Sequence, residues 1–433
     1  MSLTAAERAV VETIAARRAE LVDLAGALIA CDTAVGPDGR GDEARLQGAL
    51  AERLAAAGAE VDLWVPDDGV VAGSRQVPPG FSFAGRPQLA GRFAGARGGR
   101  SLLCNGHVDV VPAGDRAAWS AEPFAPVVRD GRLFGRGACD MKGGVAAMVF
   151  AAEALRAAGV RLAGDLVVCT VTDEEETGAG AIAAVARGVR ADAGLVAEPT
   201  GFDAWVACRG DVVGTLTVPG RLGHAGLEHD PAAGGAVNAI DKARVLLNAL
   251  ARRHDEWQRR PDHQHALLSP GHLMATRIAG GDWPVNVPAT CAITLHVAYL
   301  PAHADAGGWG SRVEAEVREC VAAAAAADPW LAQHPPALEW TLDIPAVEVD
   351  ADEPVIAVAL EAGTDLGRPG RRAGLDSWHD GATFTRFGAT PTIAYGPGSV
   401  ALAHTVDESV PVADLVACAQ AYAVAAMRWC GVA

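Results

Sequence analysis

Histidine and carboxylate residues with the spacing of metal ligands follow several apolar runs of this 433-residue chain. His107 and Asp109 lie two residues apart on a segment predicted to be extended, so both side chains point to one side. The carboxylate can then hold the second nitrogen of a metal-bound imidazole. Asp140 lies just beyond the glycine-rich segment 135–137. These residues predict a metal site, and a lone histidine beside a surface aspartate is the alternative.

Further acidic and histidine residues strengthen the metal hypothesis. Residues 173–176 are four adjacent carboxylates after an apolar run. Adjacent carboxylates repel one another, so they must be solvated or lie near a cation. Glu198 and His404 follow other apolar runs, and each alone would be typical of a surface loop. Combined with His107 and Asp140, they favour a metal centre over a set of solvated turns.

The elements that must position these residues alternate between helix and strand. Helical spacing covers 4–30, 42–57, 141–158 and 412–429, and short apolar runs typical of strands cover 61–65, 102–105, 166–171, 193–196 and 390–394. This pattern predicts an α/β core. Reactive residues in such sheets belong at the carboxyl ends of strands, where the clusters described above fall.

A different pattern begins near residue 209. Predicted elements follow in the order strand 212–218, helix 236–254, strands 272–278 and 290–299, helix 312–327 and strand 338–342. The order β-α-β-β-α-β predicts a small antiparallel sheet with two helices. We therefore expect a catalytic domain of residues 1–208 and 345–433, with an inserted domain of residues 209–344.

Composition excludes several partner classes. The formal net charge of -17 would repel nucleic acid and anionic membrane surfaces. The nine cysteines are scattered without a Cys-x-x-Cys pair, which favours reduced thiols in the cytoplasm. Charges interrupt the apolar pattern of residues 1–30, so no signal peptide is predicted, and no apolar stretch is long enough to span a membrane.

The ordered series His-x-Asp, Asp, Glu-Glu, Glu and His on an α/β core resembles the M20 metallopeptidases. These co-catalytic zinc amidohydrolases include acetylornithine deacetylase, succinyl-diaminopimelate desuccinylase, aminoacylase and the glutamate carboxypeptidase. The resemblance covers nearly the whole chain. It implies a mixed-sheet, di-zinc exopeptidase-like catalytic domain with an inserted α+β lid or dimerisation domain, in a homodimeric enzyme.

The resemblance also assigns roles to individual residues. It implies two zinc ions per subunit, or cobalt or manganese in their place, on ligands matched by His107, Asp140, Glu175, Glu198 and His404. Asp140 matches the bridging ligand, and Asp109 matches the residue that orients His107. Glu174 matches the general base. His224 matches the lid histidine that reaches the partner subunit's active site in dimeric members.

The chemistry of these residue types points to hydrolysis. Two zinc ions ~3.5–4 Å apart can share a water and lower its pKa toward ~7. A carboxylate that stays off the metal can take the proton and return it to a leaving amine, which is the role expected of Glu174. We expect metal-bound hydroxide to cleave an amide (N-acyl) bond of a small molecule. Asp140 can also serve as an N-cap for the following helix.

Other functions remain as alternatives. A di-metal dipeptidase or carboxypeptidase would use the same ligands. Undivided di-zinc aminopeptidases have a similar ligand order, but the separation of 206 positions from Glu198 to His404 leaves room for an inserted domain that such enzymes would not need. A non-catalytic metal-binding protein is disfavoured because neither the base nor any ligand is missing.

The expected substrate-binding residues are Asn286, Gly396 and Gly398. In relatives that act on N-acyl amino acids, a strand ending in Asp-x-Arg supplies an arginine for a substrate carboxylate, but here those positions are His296 and Ala298. The carboxylate contact is then lost unless another arginine, such as Arg209 or Arg386, replaces it. Strict specificity for acetylornithine or succinyl-diaminopimelate is therefore not expected.

Overall fold

The computed structural model describes residues 2–36, 41–96 and 98–433. The chain forms two compact units. Unit 1 comprises Met1–Val206, Glu348–Gly374 and His379–Ala433, and unit 2 comprises Ala207–Val347 and Leu375–Trp378.

Eight α-helices lie within the described residues of unit 1, and most bury one face. They are α1 (Ala5–Ala16), α2 (Arg18–Ile29), α3 (Glu43–Ala56), α4 (Lys142–Ala157), α5 (Ala179–Arg187), α8 (Pro354–Asp365), α9 (Gly381–Phe387) and α10 (Val412–Cys430). Thr4 begins α1 with a capping box, in which its side chain accepts from the Glu7 backbone N–H and the Glu7 side chain accepts from the Thr4 N–H. The predicted helix over 4–30 is thus two helices that meet at Arg17.

The strands of the large sheet and of a small three-stranded sheet also have most of their residues in unit 1. They are β1 (Glu60–Trp64), β2 (Gln88–Phe93), β3 (Leu102–His107), β4 (Val127–Arg129), β5 (Arg132–Phe134), β6 (Leu166–Val171), β7 (Ala193–Val196), β8 (Ala204–Cys208), β15 (Val347–Glu348), β16 (Arg372–Leu375), β17 (Thr392–Ala394) and β18 (Ser409–Pro411). Nine of them form one sheet in the order β1-β2-β6-β3-β7-β17-β8-β15, with β16 paired to β8. Strands β6, β3, β7 and β17 run parallel, whereas β2 pairs antiparallel with β6. The predicted α/β fold with a mixed sheet is confirmed.

The central strands of the large sheet are buried over their whole length, because helices cover both faces of the sheet. On one face, Leu103 of β3 packs in a cluster with residues of α5 and α9. On the opposite face, a Cβ at Gly106 would meet side chains of α4. Fully buried strands with continuous apolar runs are what a sheet covered on both sides requires.

Unit 2 contains α6 (Ala239–Trp257), α7 (Ser311–Ala326), and strands β9 (Gly210–Pro219), β10 (Gly223–His224), β11 (His272–Gly280), β12 (Asn286–Val287), β13 (Thr290–Tyr299) and β14 (Ala337–Ile344). Four strands form an antiparallel sheet in the order β11-β13-β9-β14. Alternate residues of β13 pack with both helices in one core. The predicted order of strands and helices in this region is confirmed. Strands β10 and β12 form a separate two-stranded ribbon that the sequence pattern did not predict.

No helix within the described residues combines the length and the apolar character that crossing a bilayer requires.

Candidate metal centre

The parallel strands β3, β6 and β7 bring the predicted ligands to one edge of the large sheet. His107 is the last residue of β3, the run 173–176 begins two residues after β6, and Glu198 lies two residues after β7. His107 is in register with Val171 of β6. Parallel strands end at a common edge, so the three segments present their side chains to the same region.

Asp140 lies between the two predicted histidine ligands. Its Oδ1 is 3.2 Å from His107 Nε2, and its Oδ2 is 3.5 Å from His404 Nε2. Each oxygen of this carboxylate therefore faces a different imidazole. His404 has a positive φ of 61°, so its backbone lies in the left-handed region, an uncommon conformation for a residue with a side chain.

The five predicted ligands form two groups that share this aspartate. One group is His107, Asp140 and Glu198, and the other is Asp140, Glu175 and His404. Within each group the possible ligand atoms lie within 4.8 Å of one another. Two nitrogen and oxygen clusters joined by one carboxylate are the arrangement required to hold two cations side by side.

Unpartnered oxygens indicate that the site fits cations. Oε1 of Glu175 and Oε1 of Glu198 are buried and have no hydrogen-bond partner within the described residues. The second oxygen of Glu175, Oε2, lies 3.0 Å from His404 Nε2. Buried carboxylate oxygens are costly unless they are paired or coordinate a metal. Imidazole and carboxylate ligands suit zinc, and they also bind cobalt or manganese.

The electrostatics of the cluster lead to the same conclusion. Burial, reinforced by neighbouring carboxylates, raises the pKa of Glu174 and of Glu198 well above the usual range, and burial also raises the pKa of Glu175. Burial opposes protonation of His107, but the hydrogen bond to Asp140 and the charge of Glu174 raise the pKa of that imidazole well above its usual value. A cation would offset the same crowding of negative charge without protonating the carboxylates.

Glu174 lies beside the ligands but belongs to neither group. Its Oε2 is 3.8 Å from His107 Nε2, and its side chain is only 9% exposed. The neighbouring residue, Glu175, is in a ligand group. The adjacent glutamates thus occupy different positions, one among the ligand atoms and one next to them.

Asp109 contacts His107 through its backbone and the acidic turn through its carboxylate. The Nδ1 of His107 donates to the carbonyl oxygen of Asp109 at 2.9 Å, whereas the Asp109 carboxylate is 3.7 Å from that nitrogen. That carboxylate accepts from the backbone N–H groups of Glu174 at 3.3 Å and Glu175 at 3.1 Å. The backbone carbonyl therefore orients the imidazole, and the carboxylate positions the turn.

Glu408 is a residue beside the candidate ligands that the sequence analysis missed. It is fully buried and accepts from the backbone N–H groups of Gly137, Cys139 and Asp140 at 2.8–2.9 Å. It also forms a 2.6 Å ion pair with Arg136. This carboxylate fixes the loop that presents Asp140. The only sequence signal was its position four residues after His404 in an acidic segment.

His379 and Asp380 are polar residues of unit 1 to which the sequence analysis assigned no role. Both are buried in unit 1, and His379 Nε2 and both Asp380 carboxylate oxygens have no hydrogen-bond partner within the described chain. Burial raises the pKa of Asp380 to about 8, and the charge of His107 acts in the opposite direction. This pair therefore does not form a solvated turn.

The predicted substrate glycines pack against the ligand segments. A Cβ on Gly396 would come 2.4 Å from the carbonyl oxygen of Glu198. Gly398 has a φ of +84°, and a Cβ there would come 2.8 Å from the Cys139 sulfur. Any larger residue would displace the backbone beside the cluster, so both glycines have a steric role here.

The remaining predicted site residues belong to unit 2. His224 is paired with Asn286 across the β10-β12 ribbon, and its side chain is exposed. Ala298, at the position of the expected arginine, is buried. Arg209, one suggested replacement, donates to the backbone carbonyls of Pro270 and Asp376.

Comparison with known proteins gives consistent matches. Residues 103–428 match the family described as Peptidase family M20/M25/M40. The chain is 27% identical over 429 residues to the N-formyl-4-amino-5-aminomethyl-2-methylpyrimidine deformylase of Bacillus subtilis, with 95% of both chains covered. It is 34% identical over 330 residues to the succinyl-diaminopimelate desuccinylase of Xanthomonas euvesicatoria, covering 73% of this chain and 80% of the relative. The crystal structure of a tripeptidase from Staphylococcus aureus aligns with a TM-score of 0.71 at 18% identity, covering 95% and 98% of the two chains.

Proposed function

Because the chain belongs to peptidase family M20/M25/M40, we propose that it removes a short acyl group from the nitrogen of a small amine. The protein is a hydrolase of amide C–N bonds, as its deformylase and desuccinylase relatives are. The family binds two metal ions, and this chain has two candidate ligand groups. The identity of the acyl group, the metal and the residue roles are the parts that we propose.

The shared position of Asp140 is the observation that carries this proposal. Its two oxygens face His107 and His404, each of which belongs to a separate ligand group. We assign the first metal to His107, Asp140 and Glu198, and the second to Asp140, Glu175 and His404. Zinc is the expected ion at both positions. When bound, the ions supply Lewis acidity and lower the pKa of water.

Glu174 is proposed as the general base. Its carboxylate lies next to the ligand atoms without belonging to either group, so it can reach a water near them. Asp109 holds the backbone of this residue and fixes the direction of its side chain. The proton taken up by Glu174 then passes to the nitrogen of the leaving amine.

We propose that unit 2 is a lid and dimerisation domain, and that the enzyme is a homodimer. Strand β11 forms one edge of the four-stranded sheet, and its residues 274–280 are all exposed. Met274 and Ile278 on this edge are more than half exposed. An exposed apolar strand edge readily pairs with another chain, and a second copy would cover it with the same surface. His224 would then serve the partner's active site as a hydrogen-bond donor to the oxyanion.

The substrate is proposed to lack a carboxylate beside the scissile amide. Ala298 cannot bind an anion, and Arg209 is occupied by backbone carbonyls. The neighbouring His296 has its Nε2 3.3 Å from Asp211 Oδ1 and its Nδ1 3.0 Å from His272 Nε2, so both ring nitrogens already have protein partners. These features support an uncharged N-formyl amine, such as the pyrimidine of the deformylase relative, over a succinylated amino acid.

We also propose a cytoplasmic location, which the state of the cysteines supports. All nine cysteines are buried, and none is in a disulfide bond. Buried thiols without disulfides are typical of proteins in a reducing compartment.

A substrate panel tests the proposed function. Zinc-loaded protein would be assayed against N-formyl, N-acetyl, N-succinyl and N-carbamoyl derivatives of one aminomethylpyrimidine, alongside dipeptides. We expect the N-formyl amine to give the highest kcat/KM. The Glu174→Gln variant is the control for contaminating hydrolases. Preferential cleavage of dipeptides would replace our proposal with a dipeptidase function.

A further inference from the structure

Unit 2 contains a third group of candidate metal ligands, formed by Asp262, His263 and His303. They lie on two short 3-10 turns, Pro261–His263 after α6 and Pro301–His303 after β13. Their possible ligand atoms all lie within 4.8 Å of one another. The two imidazole rings have centroids 4.1 Å apart and are 1% and 8% exposed. We call these three residues the His263 cluster.

His303 has the hydrogen bonding of a metal ligand. Its Nε2 donates to the carbonyl oxygen of Asp262 at 2.9 Å. This bond places the proton on Nε2 and leaves the lone pair on Nδ1. That Nδ1 is buried and has no hydrogen-bond partner among the described residues. Metal-binding histidines almost always fix the second nitrogen in this way, often on a backbone carbonyl.

His263 is the second unsatisfied imidazole. Both ring nitrogens are buried without a partner within the described part of the chain, although one must carry a proton. The ring stacks on Trp257 at a centroid distance of 4.8 Å. Burial, together with the nearby His303, lowers the pKa of His263 to about 4, and burial also lowers the pKa of His303. A bound metal ion would give these buried, unpartnered ring nitrogens a partner.

Asp262 supplies an anionic oxygen to the same place. The hydrogen bond from Arg260 lowers the pKa of this carboxyl to about 2, so it is ionised at neutral pH. Arg260 uses one lone pair on each carboxylate oxygen, and a carboxylate has about four such positions. Arg260 also pairs with Glu316 at 2.6 Å, which offsets its positive charge.

We infer that the His263 cluster is a metal site in unit 2, separate from the pair of ligand groups that shares Asp140. Two imidazoles and one carboxylate are typical ligands of zinc, nickel and copper, whereas magnesium and calcium prefer oxygen ligands. Zn–N bonds of ~2.0–2.1 Å require the ligand atoms to approach within ~3.4 Å in a tetrahedral site. The ion would join the turn after α6 to the turn after β13 and stabilise unit 2.

Zinc stoichiometry of the full-length protein tests this inference. Wild-type protein and His303→Gln would be equilibrated with the same free zinc concentration, and bound zinc would be measured by elemental analysis. Glutamine can keep the hydrogen bond to the Asp262 carbonyl but has no imidazole lone pair. We expect His303→Gln to bind one zinc fewer per chain. His334→Gln is the matched control, because His334 also stacks on a tryptophan and contacts a carbonyl but has no partner imidazole.

The same measurement in an Asp140→Ala variant distinguishes zinc bound at the His263 cluster from zinc bound at the proposed catalytic ligands. Asp140→Ala removes the shared ligand, and in this variant one zinc per chain should remain and be lost when His303→Gln is added. Equal zinc content with and without His303→Gln in both backgrounds would overturn the inference, whatever the total. If His303→Gln does not fold, Asp262→Asn replaces it, and we expect at least tenfold weaker zinc binding at this site. Unchanged zinc affinity in a folded Asp262→Asn protein would also overturn it.

Discussion

The contacts of Asp109 predict which property its removal should affect. The spacing of His107 and Asp109 indicates that the carboxylate orients the imidazole. The structure instead shows that the carbonyl of Asp109 holds the imidazole, while the carboxylate holds the backbone of Glu174 and Glu175. Substitution Asp109→Asn leaves the carbonyl in place. It should therefore disturb the glutamate turn more than the His107 ligand.

The size of the effect follows from the two backbone hydrogen bonds. The amide oxygen of asparagine can accept from one of the two backbone N–H groups. Its NH2 group faces the second N–H, so that hydrogen bond is lost. A hydrogen bond to a charged group contributes ~1.5–3 kcal/mol to stability. If the lost bond is needed equally in the transition state, kcat/KM falls ~10- to 150-fold, because ~1.4 kcal/mol corresponds to a factor of ten.

The assay combines kinetics with metal analysis. Wild-type and Asp109→Asn protein would be titrated with zinc, and kcat/KM and bound zinc would be measured over the titration. We expect the rate defect to persist at saturating zinc with two ions in the proposed catalytic site. Asp343→Asn is the matched control, because this buried carboxylate of unit 2 also accepts a backbone N–H, from Gly310 at 3.0 Å. It should lower stability without changing kcat/KM at saturating zinc.

One result would refute this interpretation. If added zinc restores the wild-type rate of Asp109→Asn, the substitution acts through metal affinity. The carboxylate would then orient His107, as the two-residue spacing alone suggests, and the 3.7 Å separation would close when metal binds.

The other predictions concern the base, the substrate, the dimer and the acid stability of unit 2. Glu174→Gln should lower kcat ~10²- to 10⁴-fold with zinc content unchanged, whereas Glu175→Ala should lose zinc as well; retained turnover would exclude Glu174 as the base. An N-acyl amino acid and its analogue without the carboxylate should differ in kcat/KM by less than ~100-fold, or ~2.7 kcal/mol; a larger preference for the acid would reveal an anion site. Glu174→Gln and His224→Ala subunits with different tags should regain activity when they are co-expressed and purified as heterodimers. One active site of such a heterodimer contains the intact Glu174 of one subunit and the intact His224 of the other. Inactive heterodimers would place His224 outside the partner's site. In the folded protein the pKa of His263 is lowered to about 4, so between pH ~6.5 and ~4 this imidazole is protonated in the unfolded state but not in the folded state. The folded state therefore loses stability as the pH falls over that range. As the pH falls, the melting temperature of chelator-treated His263→Leu should then decrease less steeply than that of chelator-treated wild type. Equal slopes would contradict the lowered pKa of His263.

The parts of the site that could be predicted from the sequence are those encoded locally. His107 ends β3 and Glu198 follows β7, so each ligand is marked by the apolar run that precedes it. The sheet then brings the strand ends together through backbone pairing alone. The strand and helix order of the inserted region was predictable for the same reason, since each element has its own periodicity.

The parts that could not be predicted depend on partners distant in the sequence. Glu408 accepts hydrogen bonds from a loop about 270 residues earlier, and nothing in its neighbourhood distinguishes it from a solvated carboxylate. His263 and His303 meet only because two short turns, 40 residues apart, are adjacent in unit 2. Asp109 shows a further limit. Spacing predicted that it would contact His107, but not which of its oxygens would do so.

The charge of the proposed catalytic cluster is consistent with a base role for Glu174 despite the burial of this carboxylate. The proposed ligands Asp140, Glu175 and Glu198 would carry three negative charges when ionised, and two divalent cations would carry four positive ones. An ionised Glu174 therefore makes the cluster neutral. Burial raises the pKa of Glu174 when its neighbours are carboxylates alone, but nearby cations reverse that influence and favour the ionised form. If both proposed ions bind, they would lower the pKa of water and would also keep Glu174, the proposed proton acceptor, unprotonated.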